Sequence, residues 1–525
     1  MTDDVFEDAL LASPPASGKS ASFPASTAPV IPGFFPDPTI CRAGDDYYLA
    51  TSSFEYFPGA PVFHSRDLVT WEQVGNILTR RSQFAAGDRR PSGGIFGSTL
   101  RYHNGTFWFV TTNMSEFGGG HLLLTAENPA GPWSDPVQIP GTLGIDPDLA
   151  WDADGNCYLT WVGFGPADNA SGIVQARLDP QAGKLLEPPR KVWQGTGLAF
   201  PEGPHLYRVG DWWYLLLAEG GTERGHAVSV SRSTTPEGPF EPHPQNPIFS
   251  HRSTAAVAQN TGHADLVQAA SGEWAAVYLG VRPRGSVPGY HVLGRETFLA
   301  GIRWDQGWPA FEEDHYQVPR VDTAFTDDFR SGELHLRWIA PGEDPASFTS
   351  LEAEGLLISG SGNGDLAPLL ATRVRDEAWT ASATVRPRGG ATARFELRVD
   401  ASHRYGVETD GRTVRAVARI GPLQQELGSA ACGHVDGGAS AECQVQLVIV
   451  SGAAPNAGLP GKNYGPDEVS LGFQQDGQLT VLATLDGRYL STEVAGGFTG
   501  RVMGLSVRNG SAVLERFDYR AGEPA

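Results

Sequence analysis

Basic residues are in deficit in this 525-residue chain: 39 Lys and Arg stand against 60 Asp and Glu, a formal net charge of −21. No cluster of Lys or Arg interrupts that balance. Nucleic acid and anionic membranes are therefore not expected partners, because both require a basic footprint. A neutral ligand such as a sugar is compatible with it. Long apolar runs are missing as well, and no window reaches the roughly 18 consecutive apolar residues of a membrane span. Cysteine is scarce: Cys41, Cys157, Cys432 and Cys443 are too few and too scattered for a disulfide framework or a zinc site. They read as buried free thiols, with pairing of Cys432 and Cys443 across a hairpin as the less favoured alternative. Residues 1–28 lack the basic start and solid apolar core of a secretory signal. Rich in Ala, Ser and Pro, they read as a flexible tail, and the expected location of the protein is cytoplasmic.

What the chain does have is glycine, 65 residues of it, and a phrase that recurs five times. The phrases are PDPTICRAGDDYYLATS, GSTLRYHNGTFWFVTT, DPDLAWDADGNCYLTW, EGPHLYRVGDWWYLLLA and HADLVQAASGEWAAVYLG. Each reads as a strand, a turn with Gly, and a second strand opening on an aromatic residue. The turn glycines, Gly44, Gly105, Gly155, Gly210 and Gly272, are separated by 61, 50, 55 and 62 residues. A period of this size with several strands per unit predicts the blades of a β-propeller. The segments between the phrases have a recurring form of their own, with GPWSDP and GPFEPH nearly the same words. The repeat stops after Val321. Short strands with period-two alternation and turns every 8 to 12 positions follow, which predicts a β-sandwich. The chain is thus expected to be all-β: a tail over 1–28, a five-bladed propeller over 29–322 and a concanavalin-like sandwich over 323–525.

Counted back from the turn glycines, the phrases open at Asp37, Phe96, Asp146, Glu202 and His263. Equivalent positions of successive blades surround one axis, so these residues are expected to meet in a central funnel. Three carboxylates there suit the hydrolysis of a glycosidic bond, which needs one protonated and one ionised carboxyl group. A third would hold the acid's pKa up by like-charge repulsion. Asp37 and Asp146 precede prolines and could equally be turn formers; it is their shared place in the repeat that argues for function. Spacing alone does not say which carboxylate plays which part. Asp148 lies near them and is read as a supporting residue on the same face as Asp146. His263 reads as a sugar contact or as a partner of a central water or cation, and no further ligands gather with it into a metal site. Arg295 could simply pair with Glu296, or it could keep the base ionised and orient the acid. Phe54 and Phe96 are core residues in most settings, although loops following inner strands can turn an aromatic face to a sugar.

The runs GFFPDPTICRAGDDYYLATSSFEYFPGAPVFHSRDLVTW, GIDPDLAWD, FPEGPHLY, AEGGTERGH, TGHADLV and LGRETFL resemble glycoside hydrolase family 43. The similarity is to its branch of β-xylosidases and α-L-arabinofuranosidases with a C-terminal β-sandwich, and it spans the chain from about Pro32 to the terminal FDYR. The resemblance implies a five-bladed propeller of inverting mechanism. It implies Asp37 as general base, Glu202 as general acid and Asp146 as the residue that tunes and orients the acid. His263 and Arg295 fall on active-site positions, Phe54 and Thr222 on substrate-lining ones, and Phe498 of the sandwich resembles an aromatic that helps close the pocket. Where many relatives read Trp-Ala-Pro, this chain reads Phe96-Gly97-Ser98, which puts substrate preference in question.

The expected activity is exo-acting, inverting release of terminal β-D-xylose or α-L-arabinofuranose from hemicellulose-derived oligosaccharides. The alternatives are a non-catalytic carbohydrate-binding propeller and an endo-acting arabinanase or xylanase. No organic cofactor is implied, and a structural calcium or other cation in the funnel is left open. The expected partner is an oligosaccharide, and the sandwich offers a surface for self-association into a homo-oligomer.

Overall fold

The structure of the chain, a computed structural model, describes residues 21–84, 90–164, 172–360, 367–432, 443–454 and 464–522. It divides into two compact units: Ala21–Arg282 with Arg295–Arg320, and Pro283–Gly294 with Val321 onward. The division is not a single cut, since the segment 283–294 groups with the C-terminal unit.

The first unit is a five-bladed β-propeller. Five separate antiparallel sheets follow one another along the chain, each built by strands close together in sequence. Their innermost strands are Thr39–Ala43, Ile95–His103, Gly144–Trp151, Glu202–Val209 and Gln259–Gln268. Each inner strand packs against that of the next blade, and the fifth returns to the first. Period-two alternation builds the ring, because neighbouring residues of an inner strand point into different inter-blade cores. Ile40 enters the core between blades five and one while Cys41 enters the next. Leu149 and Ala150 divide in the same way, as do Leu206 and Tyr207, and Leu266 and Val267. Five apolar clusters thus fill the five gaps between blades.

Part of the expected tail is ordered. Ser22–Pro24 forms a strand paired with Gln317–Pro319, and Ala25 is fully buried. Composition concealed this, because main-chain hydrogen bonds supply the pairing and need no apolar pattern. Residues 1–20 lie outside the described part.

Below the funnel the axis carries a buried ionic layer, in which Thr39, Asp148 and Asp265, each two positions past Asp37, Asp146 and His263, gather with Arg101 of blade two. Arg101 of blade two donates through Nη2 to Asp148 Oδ1 (2.7 Å) and through Nη1 to Asp265 Oδ2 (2.8 Å). Asp265 also accepts from the Thr39 hydroxyl (2.7 Å), the Ile40 amide (3.0 Å) and the Tyr207 hydroxyl (2.5 Å). Asp148 takes the Leu206 amide at 2.9 Å and lies 3.1 Å from His205 Nδ1. One guanidinium therefore ties together residues of all five blades. Asp148 does not join Asp146, because a bulge between Ile145 and Asp148 breaks the pleat alternation.

Among its described residues the second unit holds two large antiparallel sheets, of eight and six strands, with large buried side chains such as Trp338, Trp379, Phe395 and Phe517 in its core. Its buried Arg501–Asp467 pair is bidentate, at 2.5 and 3.0 Å. All four cysteines are free.

Replacing Arg101 by Met leaves two fully buried carboxylates without their cation, at an expected cost of about 3–5 kcal/mol of propeller stability. Denaturant unfolding would measure it, and a loss below about 1 kcal/mol would contradict the role given to this layer. Burial alone would raise the pKa of Asp265, but Arg101 and the hydrogen bonds it accepts outweigh burial and bring it down to about 2. The stability it contributes is complete above the ordinary value of 3.8 and is lost as pH falls through about 2.

Candidate active site

Four blades open on the same local distortion. Residues Asp37, Asp146, Gly203 and His263 all sit in the left-handed region, with φ of 53, 54, 55 and 49°. In blades three, four and five this residue begins a two-residue bulge, between Ile145 and Asp148, Glu202 and His205, and Gly262 and Asp265. Blade two has its bulge between Ile95 and Ser98. A left-handed conformation is strained for an L residue, and it turns the side chain away from its place in the pleat. Three blades thereby aim Asp37, Asp146 and His263 into the funnel.

Blade four is different, and corrects the count from the turn glycines. The residue equivalent to Asp146 is Gly203, and Glu202 comes one position earlier, paired across the blade with Ala218. A Cβ on Gly203 would stand 2.9 Å from His263 Nε2, so the imidazole fills the place of a side chain. The Gly203 amide instead donates to Asp146 Oδ2 at 3.0 Å. Gly97 yields in the same way, since a Cβ there would lie 2.3 Å from Asp146 Oδ1. The chain's Gly97, unusual against the resemblance, makes room for the Asp146 carboxylate.

The charges are arranged asymmetrically. Arg295 Nη1 donates to Asp37 Oδ1 at 2.8 Å and to Thr222 Oγ1 at 3.1 Å. It does not pair with Glu296, which is engaged at both oxygens by Arg282 at 2.7 and 2.9 Å. His263 Nδ1 is 3.6 Å from Asp37 Oδ1. Burial would raise the pKa of Asp37, but Arg295 and then His263 outweigh it and hold the carboxyl below its usual value. Glu202 has the opposite surroundings. Burial, then Asp146 and Asp37, push it up to about 8, against a smaller opposing pull from Arg295. Burial raises Asp146 too. Of these two neighbours Glu202 carries the proton, because Asp146 accepts the Gly203 amide and lies beside His263.

Phe54 is 1% exposed and serves as backing. Its ring lies 5.7 Å from the Arg295 guanidinium and meets Phe96 edge-on at 5.4 Å between centroids. Phe96 is partly exposed. Phe498 belongs to the sandwich unit, where it is 37% exposed.

Counting through the repeat missed His226, which follows the second strand of blade four and has no counterpart in the other phrases. It is buried, with Nδ1 2.9 Å from the Asn260 carbonyl. That contact requires the proton on Nδ1 and leaves Nε2 as an acceptor, 4.0 Å from Glu202 Oε1. Burial lowers its pKa to about 3, so the ring is neutral. Gly262 admits the ring, as a Cβ there would lie 2.5 Å from it. Among the described residues no group of three or more His, Cys, Asp or Glu could hold a metal ion.

The cluster thus offers an ionised carboxylate beside a cation, a protonated carboxyl on another wall, and a third carboxylate keeping that proton in place.

Known proteins resemble this chain over most of its length. The family model for glycosyl hydrolases family 43 matches residues 26–309. A non-reducing end α-L-arabinofuranosidase of Bacteroides ovatus is 37% identical over 94% of this chain and 93% of its own length. A β-xylosidase of Bacillus subtilis is 40% identical over 59% of this chain and 64% of its own. Among solved structures, a xylan β-1,4-xylosidase from Bacillus halodurans C-125 superposes with a TM-score of 0.83 at 29% identity, covering 94% of this chain and 99% of that one.

Removing the like charge of Asp146 should bring the Glu202 pKa down. In Asp146→Asn, the Glu202 carboxyl, followed by 13C NMR or infrared difference spectra, is expected to titrate at least about one unit below the native value near 8. An unchanged or higher pKa would show that Asp146 does not hold the proton on Glu202.

Proposed function

Because the chain belongs to family 43 of the glycosyl hydrolases, we propose that its funnel performs exo-acting hydrolysis with inversion. The released sugar would be a terminal β-D-xylose or α-L-arabinofuranose from a hemicellulose-derived oligosaccharide. The exo mode and these two sugars are suggested by the names of the similar enzymes, one acting at the non-reducing end and another on β-xylosides. The observation that carries the assignment of roles is the unequal placement of Arg295, which contacts Asp37 at 2.8 Å and leaves Glu202 to take a proton.

In this reading Asp37 is the general base. It removes a proton from water as the water oxygen attacks the anomeric carbon from the face opposite the leaving group. Glu202 gives its proton to the glycosidic oxygen as the bond from that oxygen to the anomeric carbon breaks, and the sugar leaves with its anomeric configuration inverted. Asp146 keeps Glu202 protonated between turnovers, and neutral His226 supports the same state by facing the acid with a lone pair. His263 and Arg295 fix the base. The reaction needs only the chain's own groups and water.

Replacement of Asp37 by Asn is expected to lower kcat on any substrate by at least about 10³-fold. Glu202→Gln should lose a similar factor on oligosaccharides, yet stay within about tenfold of wild type on 2,4-dinitrophenyl glycosides, whose leaving group needs little protonation. Equal losses on both would overturn the assignment of the acid. Proton NMR of the first product should show the inverted anomer, α-xylose from a β-xyloside. Glu202 works protonated, so kcat/KM should fall as pH rises through about 8. Asp37 works ionised, so the acid limb should lie below the ordinary carboxylate value of 3.8.

A further inference from the structure

One aromatic side chain beside this site has no part in the chemistry and no place in a core. Phe200, two residues before Glu202, is 72% exposed. It also occupies the left-handed region, with φ of 52°. An exposed Phe in a strained backbone gains nothing from burial, and a strained conformation persists only where its surroundings hold it.

The surroundings here are well defined. The loop that carries Phe200 starts on a buried carboxylate: Glu219 accepts from the Thr196 amide at 2.7 Å and from its hydroxyl at 2.9 Å. Its far end is tied by the Gly220 amide, which donates to the Ala199 carbonyl at 2.6 Å. Gly221, itself at φ 76°, lies against the ring, since a Cβ there would be 3.2 Å from Phe200 Cδ2. The next residue, Thr222, accepts the hydrogen bond from Arg295. The same short segment therefore supports both the Phe200 ring and the cation that holds the base.

Resting on the glycosidase reading, we infer that Phe200 is a stacking platform for the sugar ring of the leaving group, and so a determinant of what the released pentose may be attached to. Position fixes which sugar it meets. Glu202 must reach the glycosidic oxygen at hydrogen-bond distance, so the ring attached through that oxygen lies on the Glu202 side of the funnel. Phe200 stands at most about 7 Å along the chain from Glu202, Cα to Cα, and presents an apolar face to solvent at the funnel mouth. The C–H face of a pyranose or furanose suits such a ring. Water has no apolar face to offer it, nor has a small inorganic leaving group.

The test compares substrates that differ only in whether a leaving-group ring exists. Wild type, Phe200→Ala and Phe200→Trp would be assayed on β-1,4-xylobiose and on β-D-xylosyl fluoride. If the wild type prefers arabinofuranosides, α-1,5-arabinobiose and α-L-arabinofuranosyl fluoride replace them. Phe200→Ala is expected to lower kcat/KM on the disaccharide about 5- to 10-fold while staying within about twofold on the fluoride. Phe200→Trp should recover the disaccharide rate. An equal loss on both substrates would mean that Phe200 only shapes the loop around Glu202, and no loss on either would mean that the ring meets no sugar; each overturns the inference while leaving the glycosidase reading intact. A wild type inactive on all four substrates would instead remove that reading and this one with it.

Discussion

The guanidinium of Arg295 decides the charge state of the whole funnel. Three carboxyl groups brought together out of bulk water repel one another, and joint ionisation in that setting is heavily penalised. A cation equidistant from all three would stabilise them alike and leave no acid. Placed 2.8 Å from Asp37, it stabilises one carboxylate at the expense of another, and the proton goes to Glu202. In the proposed mechanism the difference between base and acid therefore comes from position and not from residue type. It also explains why Arg282 matters at a distance. By taking both oxygens of Glu296, Arg282 keeps that neighbouring carboxylate from drawing Arg295 away from Asp37.

That placement requires blades to deliver side chains to the axis with little freedom, and the fold does so in two layers. The lower layer is the Arg101 network, which fixes the inner strands to one another through Asp148 and Asp265. The upper layer is the ring of left-handed residues that turns Asp37, Asp146 and His263 inward. Strain in the upper layer is tolerated because the lower layer and the five apolar inter-blade cores hold the strands where they are. The glycines complete the arrangement. Gly203, Gly97 and Gly262 each stand where a methyl group would collide with His263, Asp146 or His226, so the close contacts of the site are written as missing side chains.

Much of this was legible in the sequence, for physical reasons that can be named. A propeller repeats its turns, so the turn glycines gave the blades. The blades gave the axis, and the axis gave Asp37, Asp146 and His263. Counting from the turns went wrong by one residue at Glu202 because hairpin lengths differ between blades; Asp37 lies seven residues before Gly44, whereas Asp146 lies nine before Gly155. A better ruler was present. Pro38, Pro147 and Pro204 each follow the left-handed residue of their blade, and aligning them puts Gly203, not Glu202, opposite Asp146. These prolines sit directly beside the distorted residue, whereas its distance to the turn changes with hairpin length. The place of His226 could not be read at all, since it sits outside the repeat and depends on a ring fitting over Gly262. The ordering of Ser22–Pro24 was equally hidden, because backbone pairing leaves no trace in composition.

The two parts of the site answer to different constraints. Proton transfer demands fixed distances, and the groups proposed to perform it sit at or just before the inner strands, where the ring of blades holds them. Recognition of the leaving group demands only a surface of the right character, and the chain places it on a loop, with Phe200 exposed beside the acid. In the proposed reading a change of the Phe200 side chain acts on the partner sugar, whereas a change in the Gly221–Thr222 segment would also reach the hydrogen bond from Arg295. A family built on one set of carboxylates can therefore vary the sugar beyond the scissile bond at exposed positions of this kind without rebuilding its catalytic core.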